Sequence, residues 1–375
     1  MASEPRILFY CHNLFGLGHI RRSTRIAEAC ASRGARCQIV TGCRRLDALK
    51  WDDRLELKRL PALEMGPDQQ LHEAGYPDRT NVMVERAEEI CRVCREFSPD
   101  ILVVDYLPGG LGGELLPLGA KGSPLESSCQ VILGVPYTKR ISRPQSRPKN
   151  PRIRRWMDRF TGVIAYTDPR WEDPLKPLEP GGLPQLQFYS GFITGEPAKT
   201  DPSSREVVVL AGGGREAIVM APLVRRSLGP LVRNGDITLR CVVGPLGELE
   251  AVEDQLGDIA TIVPTGSVEE AVSGARVIVA RCGYNSSYTL LRAEAPVVFL
   301  PQISPCFEQL DRADGLKKID RVAVVREDSE DAEAELSSAV AEAMRQPHGA
   351  RKLPFTLDGA ERAAGWLFDQ YESTR

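Results

Sequence analysis

Short unbroken apolar runs recur along the whole chain, and they constrain its fold more than any other feature. In the first half they include Asp100–Asp105, Gln130–Gly134 and Gly162–Ala165, with further strand signals at Arg6–Tyr10 and Arg36–Thr41. Runs of this length without alternation suit strands buried on both faces, the condition of a parallel sheet covered by helices. The connections agree with that reading. Arg6–Tyr10 leads into a polar, glycine-bearing loop over 11–19, then into a helical segment over Ile20–Ser32 with Gly34 just beyond it. Helix C-terminal glycines sit at such positions. The next strand follows at once, which gives the strand–loop–helix–strand unit of α/β folds.

The pattern restarts after Tyr189–Ser204, a stretch rich in turn and breaker residues. Glu206–Leu210 reads as a strand, 211–215 as a tight loop and Ala217–Arg233 as a helix. Further strands are expected near Thr238–Val243, Thr261–Val263, Val277–Ala280, Val297–Leu300 and Val322–Val325. The chain therefore reads as α/β, with two doubly wound Rossmann-like domains facing across a cleft. The expected boundaries are a first domain over 1–195, a linker over 196–205 and a second domain over 206–350. A C-terminal helix within 351–375 is expected to pack back on the first domain. Ligands of such sheets bind beyond the carboxyl ends of the strands.

Composition narrows the class. Apolar residues make up 42% and charged residues 26%, as in soluble globular chains and unlike disordered ones. No apolar run reaches the ~18 residues of a membrane span, and the N-terminus lacks the features of a secretory signal. The formal net charge of -3 supplies no chain-wide basic field for nucleic acid. A cytoplasmic location is expected. The ten cysteines are scattered. Only Cys91 and Cys94 are close, and no second pair completes a metal ribbon, so free thiols are expected. The four histidines, His12, His19, His72 and His348, form no metal-binding motif.

Three loops carry candidate chemistry. Gly212, Gly213, Gly214 and Arg215 follow a buried strand and precede a helix. Glycines let the backbone approach a ligand, and the helix start adds a positive dipole end, so the pair favours phosphate. A tight structural turn is an equal reading, because neither a Walker loop nor GxGxxG is present. In Val277–Ser287, Arg281 ends a strand, Gly283 permits close approach, and Asn285, Ser286 and Ser287 lie at a helix cap. Arginine beside a helix N-terminus suits a diphosphate without a metal. Ordinary capping is the competing reading. In Leu300–Arg312, Glu308 and Gln309 open a helix and suit hydrogen bonding to sugar hydroxyls, although a plain helix-terminal pair is the commoner meaning of such a dipeptide.

Together these loops resemble the donor domain of GT-B glycosyltransferases. The chain is most similar to the MurG-like family, in its branch of uncharacterised predicted glycosyltransferases. The shared motifs are GLGHIRR over 16–22, DYLPGGLGGELLP over 105–117 and GYNS over 283–286. The resemblance spans residues 5–325. It implies a nucleoside-diphosphate sugar, a UDP-sugar above all, used as cosubstrate and bound mainly by the second domain. Gly212–Gly214 and Arg281–Ser287 then match diphosphate contacts, Thr265–Val268 the segment that reads the base, and Glu308 and Gln309 the pair on the donor sugar. The family usually has a glutamate on the ribose at the position of Thr289, so this chain departs from the pattern there.

His19 follows the first strand and is the candidate base. An imidazole suits proton abstraction from an acceptor hydroxyl near neutral pH. Asp105, at another strand end, is expected to orient it. A strand-end cap is the other reading of Asp105, and His12 is the rival base. Gly18, Arg21 and Arg22 are placed to face the donor diphosphate. Glu114 is expected on an acceptor-side loop, without a catalytic role. No DxD-like pair occurs, which fits a metal-independent reaction. Residues 139–156 carry eight basic side chains, Arg140 among them, and no acidic one. An anionic acceptor or anionic lipid headgroups would suit this segment, with 107–118 as the adjoining apolar patch. A solvated loop is the alternative, and a nucleic-acid role lacks an aromatic platform. The leading reading is an inverting glycosyltransferase. The alternatives are a nucleotide-sugar hydrolase in which His19 activates water, and a nucleotide-sugar-binding protein without turnover.

Overall fold

The first apolar run, Arg6–Cys11, forms strand β1 of a computed structural model that describes residues 4–13, 16–65, 71–74, 81–136, 151–176, 184, 186–213, 216–303 and 308–374. Helix α1 (Gly18–Ser32) follows, and Gly34, with φ +92, turns the chain into β2 (Arg36–Thr41). Next come β3 (Leu55–Arg59), the short antiparallel pair β4 (Leu63–Met65) and β5 (Leu71–Glu73), and α2 (Val82–Phe97). The unit continues with β6 (Ile101–Asp105), β7 (Gln130–Val135), α3 (Pro151–Met157), β8 (Phe160–Ala165) and β9 (Leu186–Tyr189). Seven of these strands pair in parallel in the order β3-β2-β1-β6-β7-β8-β9. Leu8, Tyr10, Leu102, Val104, Val131 and Leu133 pack on one face against Ile90, Val93 and Phe97 of α2 and against Trp156 of α3.

The second unit has β10 (Glu206–Leu210), α4 (Ala217–Arg233), β11 (Thr238–Val243), α5 (Leu249–Leu256), β12 (Thr261–Pro264) and α6 (Val268–Ala271). It continues with β13 (Val277–Ala280), α7 (Tyr284–Arg292), β14 (Val297–Phe299), α8 (Glu308–Leu316), β15 (Val322–Val324) and α9 (Ala332–Arg345). All six strands are parallel, in the order β12-β11-β10-β13-β14-β15. Val207, Val209, Val277 and Val279 form one core with Met220, Val224 and Leu228 of α4 and Leu336 and Val340 of α9.

The last described helix, α10 (Gly359–Ser373), belongs to the first unit. That unit comprises Met1–Leu46, Trp51–Ile193 and Asp358–Arg375; the second comprises Asp47–Lys50 and Thr194–Leu357. Helix α10 packs beside α1, and the backbone carbonyl of Gln370 accepts the Gln130 side-chain amide at 2.7 Å. Among the described residues no helix is long and apolar enough to cross a membrane.

Both sheets reverse their direction of winding once. In the first, β1 has β2 on one side and β6 on the other; in the second, β10 lies between β11 and β13. A crevice forms beyond the carboxyl ends of the strands at such a switch point, and ligands of open α/β sheets bind there. The loops after β1, β6, β10 and β13 contain His12, Tyr106, Gly212 and Arg281.

Candidate active site

At the first switch point, β1 and β6 run in register with Cys11 opposite Asp105. The loop after β1 turns at Gly16, whose φ is +65, and His19 enters as the second residue of α1. Its Nδ1 lies 2.6 Å from Asp105 Oδ2. Arg22 is three residues further on, and residues at that spacing share a helix face. Its Nη2 donates to Asp105 Oδ1 at 2.8 Å and Oδ2 at 3.1 Å, and lies 2.9 Å from His19 Nδ1. An Nδ1 lone pair facing a carboxylate at this distance would be repelled, so Asp105, the nearer partner, assigns the proton to Nδ1 and the basic lone pair to Nε2, and the Arg22 guanidinium then serves the carboxylate rather than the ring.

Arg22 is only 3% exposed. Its guanidinium carbon sits 4.9 Å from the centre of the Tyr166 ring. Tyr166 has room there because residue 134 is glycine; a Cβ at Gly134 would fall 1.9 Å from the Tyr166 hydroxyl oxygen. Burial by itself pushes the Asp105 carboxyl up, but Arg22 and then His19 outweigh it and hold the group well below the usual carboxylate range. Asp105 thus remains charged beside His19.

His12 has a different environment. Its Nδ1 donates to the Asp105 backbone carbonyl at 3.0 Å, and its ring centre is 4.2 Å from that of His19. It is buried, and burial followed by the neighbouring His19 lowers its pKa to about 4. The His19 side chain is 27% exposed, so of the two histidines it is the one that an acceptor can reach. Tyr106 completes the cluster, with ring centres 5.9 Å from His19 and 6.0 Å from His12.

Each of His12, His19 and Asp105 offers one ligand atom within 4.8 Å of the others, a donor set found at divalent-metal sites. Arg22 already pairs with the carboxylate that a metal would need. A second cation there would be repelled at short range.

Other expected residues fall elsewhere. Arg22 does not face a diphosphate; it is committed to Asp105. Gly18 is exposed and Arg21 half-buried in the first turn of α1. Glu114, expected on the acceptor side, is buried, with Oε1 accepting from Tyr10 Oη at 2.7 Å and Arg86 Nη2 at 2.8 Å. Its Oε2 accepts the Gly112 N–H at 2.8 Å. It pins the 107–118 loop to the sheet. Of its apolar residues, Leu115 and Leu118 are buried, Leu107, Leu111 and Leu116 half-buried, and Pro117 exposed. Arg140 and the rest of 139–150 lie outside the described residues. The remainder of the basic segment lies in α3, anchored by buried Trp156, with Arg152, Arg154 and Arg155 exposed.

In the second unit Gly212 adopts φ +72 as the chain leaves β10, and the Gly213 carbonyl accepts the Leu246 N–H at 3.0 Å. Gly214 and Arg215 lie outside the described residues. Arg281 is buried at the end of β13, where Nη1 donates to Glu327 Oε2 at 2.7 Å and Leu300 O at 3.2 Å. Its Nη2 is 3.8 Å from Glu216 Oε2. Among the described residues its Nε and Nη2 have no hydrogen-bond partner. Helix α7 begins behind Gly283, which faces open space and leaves the helix without a side-chain cap. This corrects the expected serine or asparagine cap. Ser287 turns inward, donating to Gly283 O at 2.8 Å; Asn285 is buried and Ser286 half-buried.

Thr265 and Val268 belong to one short turn. Thr265 Oγ1 accepts the Ser267 N–H at 3.2 Å, and Val268 is buried. Thr289 is also buried, and its hydroxyl accepts the Gly195 N–H at 3.2 Å. The position at which the family carries a ribose-holding glutamate thus points into this unit's interior. Glu308 pairs with the buried Arg312, which donates to Cys282 O, and Gln309 exchanges hydrogen bonds with Gln302. These last two side chains hold the start of α8 in place.

Sequence reasoning placed His19 beside Asp105 but missed Arg22 as the carboxylate's partner, along with Tyr106, Gly134 and Tyr166. The i,i+3 spacing of His19 and Arg22 carried that signal.

No family model matches the chain, and no curated protein matches it. Solved structures match it over nearly its whole length. The glycosyltransferase SnogD from Streptomyces nogalater is 18% identical, with 98% of this chain and 100% of that chain covered and a TM-score of 0.54. UGT2 of Phytolacca americana, solved with UDP-2fluoro-glucose and pterostilbene, is 14% identical over 100% of this chain and 95% of its own, at TM-score 0.54. MurG of Acinetobacter baumannii is 13% identical over 99% and 100%, at TM-score 0.50. At these identities the likeness is one of fold, and the chain has the GT-B fold of these glycosyltransferases.

Proposed function

We propose that the chain is a glycosyltransferase that moves a sugar from a nucleoside-diphosphate sugar, preferably a UDP-sugar, to an acceptor hydroxyl with inversion and without a metal ion. The observation that carries this reading is the 2.6 Å contact of His19 with Asp105 at the switch point of the first sheet. His19 Nε2 takes the proton of the acceptor hydroxyl while its oxygen bonds to the anomeric carbon. The bond from that carbon to the diphosphate oxygen breaks, and the nucleoside diphosphate leaves with the electron pair. Asp105, held in place by its buried partner Arg22, keeps the imidazole in the reactive tautomer and stabilises the imidazolium that forms.

The second unit supplies groups suited to the leaving diphosphate: the Gly212–Gly213 turn, the first-turn N–H groups of α7 and the arginine at the end of β13. Uridine is favoured because UGT2 of Phytolacca americana was solved with a UDP-sugar. The ribose must be read by a residue other than Thr289. A reducing, cytoplasmic setting goes with the nine described cysteines, all of which are free thiols.

The test is release of nucleoside diphosphate from a panel of nucleotide sugars, with and without candidate acceptors. A transferase releases it when acceptor is present, and His19→Ala cuts that rate by roughly 100-fold or more while nucleotide binding persists. Full release without acceptor identifies a hydrolase. An undiminished rate in His19→Ala removes His19 as the base. Added EDTA should leave the rate unchanged.

A further inference from the structure

Tyr106 is the only non-glycine residue of positive φ beside the His19 cluster; among the described residues the others are Ser98 and Arg321. Its φ is +67, and the Leu107 N–H donates back across it to the Asp105 carbonyl at 2.9 Å. An i→i+2 hydrogen bond spanning a residue of positive φ belongs to the γ-turn, a rare and strained form. A tyrosine gains nothing sterically there that glycine would not provide more cheaply. The turn is nevertheless fixed from several sides. The Asp105 carbonyl also accepts His12 Nδ1 at 3.0 Å, and the Tyr106 N–H donates to Gly134 O at 2.7 Å. Strain that the surroundings over-determine marks a position where the geometry serves a purpose.

The turn sends the Asp105 carboxylate and the Tyr106 ring to the same imidazole. Asp105 meets His19 edge-on at Nδ1, and Tyr106 stacks on the ring at an interplanar angle of 29°. We propose that the Asp105–Tyr106–Leu107 γ-turn is an alignment device and Tyr106 a positioning residue that holds the His19 ring in the plane its proton transfer requires. This rests on His19 being the base, but the contact itself can be tested without turnover. The groups facing His19 are Asp105, Arg22, His12 and Tyr106; of these, Tyr106 alone has an orientation obtained through strain.

Three proteins decide it: the parent, Tyr106→Gly and Tyr106→Phe. Glycine removes the ring and the strain together; phenylalanine keeps both. Tyr106→Gly should melt within about 2 °C of the parent, because relief of strain offsets the lost contacts. Its His19 Cε1–H resonance, identified by its loss in His19→Gln, should move out of the ring-current position it holds in the parent. In the acceptor-dependent assay kcat should fall by about 10-fold with KM unchanged, and Tyr106→Phe should restore both the resonance and kcat. Three results would overturn the proposal: a Tyr106→Gly protein that melts many degrees lower, an unmoved His19 resonance, or a Tyr106→Phe variant as impaired as Tyr106→Gly. If no protein turns over any nucleotide sugar, the resonance and the melting point still decide the positioning role, and only the transferase reading fails.

Discussion

Replacing His12 by asparagine separates the two histidines by their acid–base behaviour. Asparagine keeps an N–H where His12 Nδ1 donates to the Asp105 carbonyl but cannot take up a proton. In the folded chain, burial and the nearby His19 bring the His12 imidazole down from 6.5 to about 4. The unfolded chain therefore binds the proton first as the pH falls, so His12 favours folding above pH 6.5 and loses that contribution between 6.5 and about 4. At about 1.4 kcal/mol per pH unit the full loss is about 3 kcal/mol, most of it complete by pH 4.5. All four tryptophans, Trp51, Trp156, Trp171 and Trp366, lie in the first unit. Urea unfolding followed by tryptophan fluorescence therefore reports on the unit that contains His12. The parent should lose about 2–3 kcal/mol more than His12→Asn between pH 7.5 and 4.5. Parallel curves would mean that folded His12 protonates freely, and the argument that sets it aside as a base in favour of His19 would collapse.

Asp105→Asn should flatten the acid limb at lower pH. The folded carboxyl lies below its unfolded range, so its contribution is complete above that range and drains away as the pH falls beneath about 4; the same melts carried to pH 2 check this. Arg86→Met strands the buried Glu114 carboxylate and should cost about 3–5 kcal/mol, much of it recovered in the double variant Arg86→Met/Glu114→Leu, as read by urea unfolding. Gly134→Ala forces the Tyr166 ring off its seat and should loosen Arg22; a drop in kcat with folding retained would be the sign, and full activity would count against the support role of Tyr166. Thr289→Glu buries a carboxylate where Gly195 donates, so it should lower the melting point by several degrees and leave UDP affinity unimproved in a thermal-shift titration.

The sheets were legible because their strands are short apolar blocks buried on both faces, and such blocks stand out in any sequence. Strand β3, with the sequence LELKR, is half-exposed at a sheet edge, so its signal is diluted by charged residues. The β4–β5 pair and β9 were missed for a different reason: their three or four residues hold too little pattern. At the site, His19 and Asp105 were legible as strand-end and loop residues of suitable chemistry. Tyr106 was not, because backbone strain leaves no mark in composition. The inward turn of Ser287 and Thr289 was hidden as well. Both are buried in α7, a helix enclosed on most of its circumference, and the sequence offered equally polar neighbours, such as Ser286, that are less buried.

Helix α10 has a consequence for biosynthesis. It is made after every other helix described, yet its buried residues Ala363, Ala364, Leu367 and Tyr371 belong to the first unit, whose strands leave the ribosome long before. The second unit has all of its strands and helices in hand by residue 357, so translation delivers a finished later unit while the earlier one still waits for its closing piece. During that interval the seat of α10 beside α1 is wet and apolar, a surface that chaperones bind. A chain clipped or stalled before Asp358 would keep that surface permanently, and cellular quality control would have grounds to discard it although every residue of the candidate active site had already been synthesised.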